Sequence, residues 1–88
     1  MKLNDEMNLK PARNQKLAPA RALVAGVSDD GTQVRLMLRN PPEWFLADER
    51  SHGLFAGEDY ERIVFLFKDH AGTWTDTANM KQFTLEDA

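Results

Sequence analysis

The chain has 88 residues, of which 42% are hydrophobic and 28% are charged, and its formal net charge at pH 7 is −3. A chain of this length can form one hydrophobic core but not two, and this composition is too apolar for a disordered protein. The sequence contains no cysteine, which excludes disulfides, thiolate metal sites and a cysteine nucleophile.

The first twenty residues are polar and basic and are interrupted by Pro11 and Pro19. They predict either a loose basic arm or an edge strand around Met7 to Lys10. The segment has no apolar stretch of the kind found in signal peptides, so we expect a cytoplasmic protein. We expect a single globular domain over residues 21 to 83 and a short C-terminal tail over residues 84 to 88.

Residues 21 to 40 carry two runs of alternating apolar residues around an Asp-Gly pair, a pattern typical of a β-hairpin. With Asp30 and Gly31 as a two-residue loop, the predicted cross-strand pairs are Val27 with Val34, Ala25 with Leu36, and Leu23 with Leu38. All six residues then lie on one face of the hairpin, and we expect that face to be buried.

The segment NPPEWFL, residues 40 to 46, predicts the start of a short helix over about residues 42 to 52. Pro42 suits the first helical position, where its missing N–H costs nothing. Glu43 lies in the first turn, where the helix dipole favours an acid, and Gly53 is a suitable C-terminal stop.

Three bulky residues, Trp44, Phe45 and Leu46, follow one another at the start of this helix. They occupy successive steps of about 100° and so cover more of the helix surface than a stripe that faces a core. Either Trp44 or Leu46 should therefore lie at the rim of the core. An exposed Trp44 could form one contact patch with Leu54 and Phe55.

A second hairpin is predicted in the last third of the chain. Residues 63 to 67 contain no polar side chain, which predicts a central strand covered on both faces, and the run is too short to span a bilayer. A turn over residues 69 to 72 leads to a strand around Trp74, in which Phe67 pairs with Trp74 and Leu66 pairs with Thr75.

These elements predict an α+β fold, with a mainly antiparallel sheet of four to five strands built from two hairpins and one short helix between them. The order of elements, with the helix between the third and fourth strands, resembles the connectivity of an OB-like small barrel. An open antiparallel sheet with one helix on a face fits the same order.

The sequence lacks the constellations that catalysis or cofactor binding requires. Ser51 adjoins His52, but neighbouring residues on a helix point about 100° apart and cannot form a nucleophile–base pair. The two histidines, His52 and His70, are far apart in sequence, and no glycine-rich phosphate loop occurs. We therefore predict a non-enzymatic protein with no catalytic, cofactor-binding or metal site.

A small domain without a catalytic set often acts by occupying a surface of another molecule. We predict a protein-binding module, with Trp44, Leu54 and Phe55 as first contact candidates and Arg35 and Arg39 as second ones. Its partner would be another protein or a second copy of the chain. Residues 41 to 88 carry ten acidic residues against four basic ones, so an inhibitor or regulator that occludes a surface with an acidic and aromatic face is one form of this prediction.

The alternative is an OB-like nucleic-acid-binding protein that uses Arg21, Arg35 and Arg39 of the first hairpin. The position of the aromatic residues argues against it, because all eight follow residue 40 and none lies on the strands that would carry these arginines. Single-strand binding needs aromatic rings beside positive charge.

Overall fold

The computed structural model describes residues 1–51, 61–76 and 80–88, with only the backbone of residues 48–51 and 61. Over these residues the chain forms six strands and one helix: β1 (Glu6–Pro11), β2 (Ala20–Val27), β3 (Gln33–Arg39), α1 (Glu43–Ser51), β4 (Glu61–Lys68), β5 (Trp74–Asp76) and β6 (Lys81–Asp87). Consecutive strands pair antiparallel, and β1 also pairs with β6, which closes the sheet into a barrel. The fold is therefore a small, mostly β, closed barrel.

The predicted antiparallel sheet with one short helix after the first hairpin is confirmed. The sheet has six strands rather than four to five. The one helix, α1, has nine residues, so the α+β class describes this mostly β fold only weakly. Neighbours in the barrel are neighbours in sequence, whereas an OB-fold is a five-stranded Greek key. The likeness to an OB-like barrel is thus one of size, closure and helix position.

Both ends of the chain take part in the barrel. Met7 and Leu9 alternate along β1 and point into the core, where they are 3% and 0% exposed. β1 has a strand on each side, so residues 6 to 11 form neither an edge strand nor a loose arm. Residues 84 to 87, expected to form a tail, belong to β6 and pair with β1 because closure requires a strand on that side.

The first hairpin forms, but with a change of register that the sequence pattern does not reveal. Near the turn Val27 pairs with Val34 as predicted, whereas beyond a β-bulge between Val24 and Gly26 the partners shift by one position. Val24 and Ala22 therefore face Leu36 and Leu38, the places predicted for Ala25 and Leu23. As a consequence Val24 and Ala22 are buried, while Leu23 is 37% exposed. Val27 keeps its predicted partner and is also 37% exposed, although it was expected on the buried face.

The turn of this hairpin is longer than the predicted two residues. Ser28 N donates to Gln33 O, and Gly31 adopts φ +74° within the intervening loop. The Asp30 carboxylate accepts hydrogen bonds from Thr32 N at 3.0 Å and from the hydroxyls of Ser28 and Thr32, each at 2.7 Å. These bonds, led by the one from the Thr32 amide, lower the pKa of Asp30 to about 2.

The second hairpin is also shifted by one position from its prediction. Phe67 pairs with Thr75, and Lys68 pairs with Trp74. The difference arises at the turn, where Asp69 N donates to Thr73 O at 3.0 Å and the Asp69 carboxylate accepts the Thr73 N–H at 2.9 Å. This closes the loop one residue later than predicted.

The apolar run on β4 is covered on one face rather than on both. Val64 and Leu66 point into the barrel and are buried, whereas Ile63 is 49% and Phe65 is 56% exposed. A strand of a small barrel has one face inside and one outside. An uninterrupted apolar run therefore leaves every second large side chain on the outer surface.

Helix α1 begins at Glu43, where Phe45 N and Leu46 N donate to Pro42 O at 3.0 and 3.2 Å. Of the three bulky residues, Phe45 joins the core, and both Trp44 and Leu46 are half-buried. The core comprises Met7, Leu9, Ala20, Ala22, Val24, Val34, Leu36, Leu38, Phe45, Val64, Leu66, Trp74 and Phe83.

Candidate functional site

An aliphatic row crosses the outside of three neighbouring strands. Leu23 on β2 pairs with Met37 on β3, and Met37 pairs with Ile63 on β4. Leu23 and Ile63 are exposed and Met37 is half-buried. Three apolar side chains thus stand side by side on the outer surface, which is more than the scattered single residues normally found there.

A second row lies beside the first and combines a cation with an aromatic ring. Gly26 on β2 pairs with Arg35 on β3, which pairs with Phe65 on β4. Arg35 Nη2 donates to Ala25 O at 3.2 Å, and a Cβ added to Gly26 would lie 3.4 Å from the same nitrogen. The guanidinium therefore extends across Gly26 and away from Phe65. We call the six residues of the two rows (Leu23, Met37, Ile63, Gly26, Arg35 and Phe65) the outer face.

A groove of about 410 Å³ runs along one side of the outer face. Gly26, Ser28, Gln33, Arg35, Phe65 and Phe67 contribute to its walls. Phe67 stands opposite Gln33 in the β3–β4 register, so a polar residue and an aromatic ring again adjoin. The groove is open and amphipathic, and such a surface suits a contact with another molecule.

Further charges border the other side of the outer face. Arg21 Nη1 forms an exposed ion pair with Glu6 Oε2 at 3.1 Å. Arg21, Glu6 and Arg39 line a hollow of about 300 Å³ together with Leu23 and Met37. Cationic and apolar groups therefore meet on this side of the barrel, as they do in protein interfaces with an apolar centre and a charged rim.

Two of the predicted contact residues, Arg35 and Arg39, lie on β3 beside these apolar groups. Trp44 lies elsewhere, because its indole Nε1 donates to Ala18 O at 2.8 Å and its ring centroid is 6.5 Å from that of Phe83. These contacts anchor α1 against the loop before β2 and against β6. The role of Trp44 as a partner contact stays a prediction, and Leu54 and Phe55 lie outside the described residues.

Of the ten acidic residues over positions 41 to 88, those at positions 48, 49, 58, 59 and 61 lie where side chains are not described. The acidic and aromatic face stays a prediction.

Sequence reasoning missed the apolar residues of the outer face. Leu23 was expected in the core because the bulge was not foreseen, and Ile63 and Phe65 were expected under a covering layer. Arg35 and Phe65 are 30 positions apart in sequence and become neighbours only through the β3–β4 register. The alternation of arginine and methionine along β3 was the available signal that this side of the sheet faces outward.

Within residues 1–51, 61–76 and 80–88, no group of three or more histidine, aspartate or glutamate side chains could hold a metal ion. In the same part of the chain, no helix is long and apolar enough to cross a membrane. His70 lies exposed in the β4–β5 turn, and the Ser28 hydroxyl donates to Asp30 within its own turn.

The chain matches no protein-family model, and it has no significant match among curated proteins or among solved structures.

Proposed function

We propose that this chain is a small, non-enzymatic protein-binding module whose contact surface is the outer face. A single observation carries the proposal: Leu23 on β2 and Ile63 and Phe65 on β4 are exposed on the same outer surface, with Met37 and Arg35 of β3 between them. Burying such apolar groups against a partner is favourable, and arginine and aromatic residues are frequent hot spots in interfaces. The module would act by covering a surface of its partner.

A capture experiment tests this function. The tagged chain is mixed with an extract of its source cells to which the untagged chain has been added, and bound proteins are identified. We compare wild type with Ile63→Ser and Phe65→Ser, which remove exposed apolar groups from the outer face. Met80→Ser is the matched control, because Met80 is 74% exposed in the turn before β6.

The proposal is supported if wild type and Met80→Ser retain a partner that both face variants lose. That partner is either a foreign protein or the untagged chain. The same proteins recovered with all four chains would contradict it. Circular dichroism checks that each variant is folded.

A second candidate function is single-strand nucleic-acid binding by an OB-like barrel, and one specific observation favours it. Phe65 on β4 stands directly beside Arg35 on β3, so a ring and a positive charge adjoin although the strands that carry the arginines have no aromatic residue of their own. Such pairs are the main component of stacking platforms. The net charge of −3 and the aliphatic row favour the protein partner instead.

Fluorescence anisotropy with labelled single-stranded DNA and RNA at low salt distinguishes the two candidates. A nucleic-acid function predicts binding that weakens as salt is added and is lost in Arg35→Ala/Arg39→Ala. Absence of binding at low salt would eliminate this candidate and leave the protein-binding proposal untouched.

A further inference from the structure

We infer that the outer face binds the same face of a second copy of this chain, forming a twofold dimer. The inference rests on the proposed protein-binding function and names its partner. The observation behind it is that each row of the outer face is complementary to the same row of a second copy, when the second copy is turned so that its β2 residue faces the β4 residue of the first.

A twofold axis decides which residues meet in such a dimer, because each residue must suit the one that the axis brings to it. We consider an axis that lies between the two copies and runs parallel to β3. This axis brings the β2 side of one copy over the β4 side of the other. It also brings each outward residue of β3 close to its own counterpart.

The aliphatic row satisfies this condition along its whole length. The axis brings Leu23 of each copy over Ile63 of the other, and the two Met37 side chains meet at the centre. All these contacts are apolar. Methionine suits the central position because its unbranched side chain adapts to the space that a symmetric contact leaves.

The second row satisfies the condition through the direction in which Arg35 points. Its guanidinium lies over Gly26, on the β2 side, while Phe65 stands on the β4 side. The axis therefore brings the ring of Phe65 from one copy to the guanidinium of Arg35 from the other, and does so twice. Arginine stacks favourably on aromatic rings, so each of these cations meets a ring rather than the other cation.

The shape of the barrel limits the size of the contact. Strands lie about 4.8 Å apart, so three strands present a strip only about 10 Å wide between their outer axes, and the surface curves away on both sides. This is smaller than a standard interface, so we expect a reversible dimer with a dissociation constant on the order of 10–100 μM.

Sedimentation velocity of the purified 88-residue chain, over concentrations that bracket this range, tests the inference. Wild type should shift from monomer to dimer as its concentration rises. Two variants at the same position then test the axis. Phe65→Glu brings a carboxylate to Arg35 of the second copy, whereas Phe65→Arg brings a second cation there.

We expect Phe65→Glu to dimerise at least about tenfold more tightly than Phe65→Arg. The Phe65→Glu dimer should weaken as salt is added. The double variant Arg35→Glu/Phe65→Arg should recover dimerisation relative to Phe65→Arg. Equal loss in Phe65→Glu and Phe65→Arg would overturn the proposed axis, since both replace an exposed apolar side chain by a charged one.

Chemical cross-linking gives a second test, because the chain has no cysteine of its own. Met37→Cys puts one thiol near the axis, and Leu23→Cys puts one on the same face away from it. A thiol cross-linker that bridges packed sheets, about 10 Å apart, should join two Met37→Cys chains several-fold faster than two Leu23→Cys chains. Equal rates would contradict the geometry.

The failure of this inference is distinguishable from failure of the proposed function. If wild type remains monomeric at about 1 mM, the inference that a second copy is the partner is wrong. With the expected dissociation constant, most of the protein would be dimeric at that concentration. A foreign protein captured by wild type and lost with Ile63→Ser and Phe65→Ser would still support the protein-binding function. If the face instead binds single-stranded nucleic acid, Phe65→Arg should bind it more tightly than Phe65→Glu, the reverse of the order expected for the dimer.

Discussion

The guanidinium of Arg35 lies across Gly26 on the neighbouring strand, 3.4 Å from where a Cβ of residue 26 would stand. This pair lies on the turn side of the β-bulge between Val24 and Gly26, where the register is the predicted one. Gly26 has no side chain at the point where the guanidinium rests, which leaves Arg35 room to lie on the β2 side, away from Phe65.

Replacing Gly26 by valine should displace the guanidinium without unfolding the barrel. The backbone at Gly26 is not in the left-handed region, so a larger residue fits the backbone, but its γ-carbons would occupy the space of the Arg35 side chain. We expect a stability change below about 1 kcal/mol and a loss of self-association as large as that in Arg35→Ala. Urea denaturation and sedimentation velocity measure the two effects.

Gly26→Ala is the matched control, because its Cβ needs the guanidinium to move by only a few tenths of an ångström. It should keep the self-association of wild type. Self-association that is unchanged in Gly26→Val would mean that the position of Arg35 is unimportant.

The same substitution at two leucines tests the register of the first hairpin. Leu36 is fully buried, so Leu36→Ala should lower the free energy of unfolding by about 2–5 kcal/mol through lost burial and a cavity. Leu23 is 37% exposed, so Leu23→Ala should cost less than about 1.5 kcal/mol. Urea denaturation of the monomer at low concentration gives both values. A cost at Leu23 equal to that at Leu36 would favour the continuous register without a bulge.

Trp44 is expected to stabilise the fold by anchoring α1. Trp44→Phe removes the hydrogen bond to Ala18 O and part of the packing against Phe83, and we expect a loss of about 1–2 kcal/mol. Urea denaturation followed by circular dichroism avoids interference from the fluorescence of Trp74. If Trp44→Phe is as stable as wild type, the indole does not stabilise the fold, and a role of Trp44 in contacting a partner would be favoured instead.

The lowered pKa of Asp30 predicts a pH dependence of stability. Its pKa is about 2 in the folded chain, against 3.8 for an unperturbed aspartate, because Thr32 N–H and the hydroxyls of Ser28 and Thr32 donate to the carboxylate. The folded state thus favours the ionised form. The stabilisation from this group is fully present above about pH 4 and is lost as the pH falls from there towards 2.

Asp30→Asn separates this effect from the titration of other acids, because an amide oxygen can accept the same bonds and does not titrate. The difference in denaturation midpoint between wild type and Asp30→Asn should be constant from pH 7 to about 4 and shrink below it. A difference that is unchanged down to pH 2 would show that the turn does not depend on the charge of Asp30.

Local features of the sequence predicted most of the secondary structure. The Asp-Gly pair and the alternation around it indicated the first hairpin, and Pro42 with Glu43 indicated the start of α1, because turns and helix ends depend on a few adjacent residues. The alternation of Val34, Leu36 and Leu38 also identified the inner face of β3 correctly. Arg35 and Arg39, at outward positions of the same strand, were predicted contact residues, and they lie beside the apolar groups of the outer face.

The two register errors have a common physical cause. A turn with one more or one fewer residue than expected, or a bulge within a strand, moves every later pair by one position. Asp69 closes its loop through backbone and carboxylate hydrogen bonds that the sequence pattern does not specify uniquely. The bulge before Gly26 likewise decided that Leu23 is exposed and Val24 buried.

By itself, the sequence determined the two hairpins, the start of the helix, the absence of thiol chemistry and the inner face of β3, since these depend on residue types and short-range spacing. Only the tertiary structure decided that β1 and β6 close the sheet, that one face of β4 is exposed, and that Arg35 stands between Gly26 and Phe65. Those features depend on pairing between strands distant in sequence. An apolar run has the same sequence pattern whether one or both of its faces are covered, so its outer side became visible only when the barrel closed around the inner one.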